Sequence, residues 1–92
     1  MADNNNNFFE ITSDDITINA NQKTILTLSQ KDESAKLTAK ETTIECKDKI
    51  ILKCGSNSIE INSSTVIIKC GESSVELSSS GVSIKGTSIN LD

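Results

Sequence analysis

The side chains best suited to chemistry in this chain are three cysteines, Cys46, Cys54 and Cys70, spaced eight and then sixteen residues apart. If three copies met around an axis, each position would place three thiols in a ring able to hold a metal. Thiolate sites, however, usually recruit His or Cys pairs at short spacing, and the chain has no His. The plainer reading makes each Cys a small buried apolar side chain near a corner. The carboxylates form two adjacent pairs, Asp14-Asp15 and Asp32-Glu33, which would attract a cation weakly and fit solvated turns better. Without His, Tyr or Arg there is no nucleophile–base pair and no acid–base dyad, so the fourteen Ser read as corner formers. No catalytic residue, cofactor or metal ligand is assigned, and the chain reads as a non-enzyme.

What positions these residues is a repeat. Residues 50–65 read IILKCGSNSIEINSST, residues 66–81 VIIKCGESSVELSSSG and residues 82–91 VSIKGTSINL. Each copy carries two apolar-x-apolar triplets: Ile50/Leu52 with Ile59/Ile61, Val66/Ile68 with Val75/Leu77, and Val82/Ile84 with Ile89/Leu91. Looser triplets precede them at Phe9/Ile11, Ile16/Ile18, Leu26/Leu28, Ala35/Leu37 and Ile44/Cys46. Period-two alternation between Ser, Asn, Asp and Gly links predicts about eleven short strands and no helix. A fixed period is the signature of stacked units that bury their apolar faces only on one another.

Composition bounds the rest. Apolar residues make up 35% of the 92, with thirteen Ile, three Val and nine Thr but no Trp, Tyr or Pro. That suits continuous sheet around a thin aliphatic stripe. A net charge of −4 without Arg makes nucleic acid an improbable partner. Nothing resembles a secretory signal or a membrane span, and an odd number of Cys fits a reducing compartment, so synthesis in a cytoplasm is expected. The polar residues 1–8 read as a disordered leader and residues 9–92 as one repetitive β module.

The triplets recur at a mean of close to eight residues, which reads as a strand of five residues plus a corner of two or three. On that count a full-length hairpin has no room, and the chain should turn a shallow corner and keep winding. Winding closes in two ways. A monomer could make a two-sided coil of sixteen residues with the Ile50 and Ile59 triplets on opposite sheets; three chains could wind together as a triangular prism. The trimer leaves no lateral strand edge open. Its core would be Ile44, Ile50, Leu52, Ile59, Ile61, Val66, Ile68, Val75, Leu77, Val82 and Ile84.

The segments KIILKCGSNSIEIN, GESSVELSSSGVSIKG and TSINLD resemble the C-terminal β-prism of VgrG proteins, the spikes of bacterial type VI secretion, and the needle of T-even phage tail lysozymes. The resemblance covers about half the chain closely. It implies an all-β, triple-stranded intertwined β-helix, a homotrimer driven through a target membrane at the tip of a contractile tube. It further implies delivery as part of an injection apparatus or virion, attachment to a tube or hub domain at the N-terminal end, and a conical PAAR-repeat tip protein on the blunt C-terminal end. By position, Ile89, Asn90, Leu91 and Asp92 would form that end. The chain lacks the OB-like and hub domains of those spikes, and without His it has no His-x-His iron site.

Outward positions carry Glu45, Lys53, Glu60, Lys69, Glu76 and Lys85, alternating in sign. Neighbouring strands from different chains would set Lys beside Glu and fix register; an ordinary solvated face is the competing reading. The alternative function is a monomeric two-sided β-solenoid used as a binding or adhesive surface. An ice-binding grid of outward Thr is not what the Lys and Glu positions offer.

Overall fold

The computed structural model describes residues 4–90 and is all-β, in two compact units divided between Thr43 and Ile44. The first unit is a four-stranded sheet in sequence order: β1 (Asn7–Ile11), β2 (Asp15–Ala20), β3 (Thr24–Ser29) and β4 (Ser34–Thr38). The second is a five-stranded sheet: β5 (Lys49–Cys54), β6 (Asn57–Asn62), β7 (Thr65–Cys70), β8 (Ser73–Ser78) and β9 (Gly81–Lys85). Every neighbouring pair is antiparallel. No helix among the described residues is long and apolar enough to cross a membrane.

Within the single chain the strands return as hairpins, for which the spacing was expected to leave no room. A six-residue strand and a two-residue turn fill eight residues, and two residues suffice to reverse an antiparallel chain. The sixteen-residue repeat is therefore one hairpin plus the turn to the next, which is why β5, β7 and β9 start at residues 49, 65 and 81. The two-sided coil is corrected by the same register. Ile50 pairs with Ile61 and Leu52 with Ile59, so these triplets lie side by side in one sheet instead of on opposite sheets.

Turn chemistry explains the pitch. Gly55 and Gly71 open the β5–β6 and β7–β8 turns at φ +60° and +59°, the backbone that a type II′ hairpin asks of its first central residue. Between β6 and β7 the Asn62 side chain does the work. Its Oδ1 accepts from the Ser64 N–H at 3.0 Å and the Thr65 N–H at 2.8 Å, and its Nδ2 donates to Glu60 Oε2 at 3.0 Å. In the first unit, Thr12 Oγ1 accepts from the Asp15 N–H at 2.9 Å, and Asn19 Oδ1 from the Gln22 N–H at 2.8 Å.

Nine strands appear among the described residues, against the eleven expected, and both missing triplets have a local reason. A two-residue Lys47-Asp48 turn ahead of β5 would set Glu45 against Ile50 and Thr43 against Leu52. A one-residue phase slip of this kind puts the wrong set of side chains on the core face, and residues 41–46 form no strand. After β9 the repeat places Thr87 where Gly55 and Gly71 stand, and Gly86 where Cys54 and Cys70 stand. A β-branched residue resists positive φ by about 1–2 kcal/mol, and residues 86–90 form no strand. At the other end β1 starts at Asn7, ahead of Phe9 where the pattern places the first strand.

Gly71→Ala is expected to lower stability by about 1 kcal/mol, since Ala must take positive φ in the native turn, whereas Ser56→Ala should change it by less than about 0.5 kcal/mol. Urea unfolding of the two variants checks this; equal losses would contradict the turn assignment.

Candidate interaction face

Alternation along each strand and register across strands together create an apolar face. In the second unit one cross-strand row runs Ile50, Ile61, Val66, Leu77, Val82 and the next runs Leu52, Ile59, Ile68, Val75, Ile84. These are ten of the eleven residues expected to form a core. The eleventh, Ile44, is 64% exposed and outside any strand. A third row at the strand ends sets Cys54 opposite Asn57 and Cys70 opposite Ser73. The first unit repeats the plan with Ile11, Ile16, Leu28, Ala35 and Phe9, Ile18, Leu26, Leu37.

Nothing within either unit covers these rows. No hydrophobic residue among the described residues is buried, and Leu52, Ile68, Val82 and Ile84 are 59%, 45%, 64% and 52% exposed. Two rows across five strands amount to an apolar strip on the order of 300 Å², from strand spacing and rise, comparable to the largest apolar patch of a typical soluble monomer. The only buried residue among those described is polar, Asn19 at 5% exposed. It lies on the opposite face of the first sheet, between Phe8 and Ile25.

The other face of the second sheet is polar but not purely so. One row runs Lys53, Ser58, Lys69, Ser74, Lys85 and its neighbour Ile51, Glu60, Ile67, Glu76, Ser83. Each Lys therefore sits directly opposite Ser within the chain, and Glu60 and Glu76 are its diagonal neighbours, about 7–8 Å away. The Lys–Ser row was not foreseen, because reading it requires the hairpin register; sequence period alone shows only that Lys recurs.

Comparison with known proteins adds no identity. No family model matches the chain, and no curated protein or solved structure matches it.

The sites considered for chemistry are dispersed. Cys46, Cys54 and Cys70 are all exposed in the single chain, so burial at these positions would require another copy over the face. Cys54 and Cys70 stand on β5 and β7 with β6 between, about 9.6 Å apart at ordinary strand spacing, too far for a disulfide. No cluster of three metal-ligating side chains occurs among the described residues. Asp14 and Asp15 belong to the β1–β2 turn held by Thr12, and Asp32 donates its backbone N–H to Ser29 Oγ at 3.1 Å in the β3–β4 turn. Of the proposed tip-binding end, Ile89 is 53% exposed and Asn90 is in irregular backbone, while Leu91 and Asp92 lie outside the described residues.

Ile51 and Leu52 are adjacent and similarly exposed, at 50% and 59%, on opposite faces. Leu52→Lys is expected to abolish assembly and Ile51→Lys to leave it intact, as read by sedimentation velocity; equal behaviour of the pair would contradict a face-specific interface.

Proposed function

We propose that this chain is a structural module that works as a homotrimer, a membrane-piercing spike at the tip of a contractile injection machine. The observation that carries the reading is the pair of unbroken aliphatic rows left uncovered within the unit that makes them. A sheet that buries no apolar side chain cannot offset about 1–2 kcal/mol of backbone entropy per ordered residue. Copies of the same chain are the natural cover, because each supplies an identical aliphatic stripe.

Threefold winding and in-chain hairpins differ in which strand neighbours which, yet they share one inward set. Side-chain parity along a strand decides the face, whichever chain provides the next strand. An intertwined prism would therefore seal Ile50, Leu52, Ile59, Ile61 and their successors around the axis. It would also bring Lys53, Lys69 and Lys85 beside Glu60 and Glu76 of other chains. Function would then be mechanical: continuous ladders, a dry axis, and short turns with little slack to buckle. The end carrying Ile89 to Asp92 would receive a PAAR-like tip protein, and the N-terminal end would join a tube or hub domain.

Light scattering on the reduced protein at low micromolar concentration tests the reading. The expected mass is about 30 kDa, three times the 9.9 kDa chain. A folded β-rich species at 9.9 kDa would overturn it and leave a binding or adhesive surface as the use of the exposed face.

A further inference from the structure

The hairpins of the second unit and an intertwined prism cannot hold at once. In the hairpins Ile51 lies opposite Glu60 and Ile67 opposite Glu76. A chain that passes to the next face at every corner puts β5 and β6, and likewise β7 and β8, on different faces. Either the assembly keeps the hairpins, or they open as copies meet.

Three features of the second unit favour opening. No hydrophobic residue among those described is buried, so parting two strands exposes little that was covered. Backbone bonds given up within a chain are remade between chains, for a small net change per bond. The turns also permit it. Gly55 and Gly71 sit at φ +60° and +59°, and a glycine leaves that region as readily as it enters. Asn62 Oδ1 accepts only from the nearby Ser64 and Thr65, so its bonds survive whichever strand lies alongside. Among the described residues, the side-chain hydrogen bond of this unit that spans more than three positions joins the Gly71 N–H to Asn57 Oδ1 at 3.1 Å.

The first unit is built differently. Asn21 and Gln22 both take positive φ, at 49° and 59°, the combination that a type I′ hairpin turn requires, and the Gln22 N–H donates to Asn19 Oδ1. Non-glycine residues hold such angles only where the surrounding structure fixes them. Opening is therefore confined to the second unit.

We propose that the five-stranded meander is a holding form, which pairs the backbone groups of β5 to β9 until other copies arrive, and that assembly opens its hairpins into interchain ladders. The same aliphatic residues face inward in both forms, since parity along each strand is unchanged. Apolar burial gained on assembly drives the exchange. The inference rests on the homotrimer reading above and deepens it by naming the step that separates the single chain from its assembly.

The test locks the hairpin. In the full chain, Cys46→Ser, Cys54→Ser and Cys70→Ser are combined with Ile51→Cys and Glu60→Cys, or with Ile67→Cys and Glu76→Cys, both pairs lying on the polar face. Cys54 and Asn57 close a two-residue turn as a hydrogen-bonded pair, so by alternation Ile51 and Glu60 form a non-hydrogen-bonded pair with Cα atoms about 4.5 Å apart. That is within reach of a disulfide. Across a triangular corner the same positions lie on the order of 15 Å apart, from the rise per residue, and no bond can span them. The disulfide is closed in urea at high dilution and the urea removed. Mass is then measured by light scattering at low micromolar concentration, with and without reductant, beside the unaltered chain. The expected result is 9.9 kDa for the locked chain and a threefold rise, to about 30 kDa, on reduction. A locked chain at about 30 kDa overturns the opening and leaves a trimer of intact hairpins. Reduced chains of both designs at 9.9 kDa, beside an assembled unaltered chain, overturn the outward placing of these residues on which the opening stands. An unaltered chain at 9.9 kDa overturns the homotrimer and the opening together.

Discussion

Everything in this protein depends on where its aliphatic side chains go once the strands form. Period-two alternation sends them to one face of each sheet, and the hairpin register aligns them into rows. Among the described residues nothing covers those rows within a unit, for there is no helix and each unit holds a single sheet. Hydrogen bonding gives the ladders direction and spacing, but its net contribution per bond is small. Burial must be completed by something outside the unit. This single deficit is what the proposed assembly would make good.

The turns are the second determinant, because they hold the pitch at eight residues. Gly55, Gly71 and Asn62 do so by different means, positive φ in the glycines and side-chain acceptance of backbone N–H groups in the asparagine. Constant pitch keeps every triplet opposite the next. Where the pitch fails, at Lys47-Asp48 and at Thr87, the sheet stops. The edges so created carry Lys49 and Lys53 on β5 and Lys85 on β9, charges that discourage indiscriminate pairing.

Much of this was legible in the residues. The all-β class, nine of the triplets as strands and the placing of ten aliphatic positions on one sheet face follow from alternation alone. Hairpins were not read correctly, because the eight-residue spacing was divided as five plus three; six plus two satisfies it equally and reverses the chain. The failed strands at 41–46 and 86–90 also lay in plain view. Glu45 falls on the aliphatic side once Lys47-Asp48 is counted as a turn, and Thr87 replaces a required glycine. Those signals become readable only after the hairpin is known, since phase has no meaning without a partner strand. The cysteines were hardest to place: their recurrence marks a position in the repeat, and burial at that position depends on what covers the face.

The most direct test of the central claim is the dependence of the urea unfolding midpoint on protein concentration, followed by far-ultraviolet circular dichroism under reducing conditions. If copies of the chain complete the burial, unfolding is coupled to dissociation, and the midpoint rises steadily between about 1 and 100 μM. A cooperative transition whose midpoint is the same at both concentrations would show that one chain folds by itself, and would contradict the account.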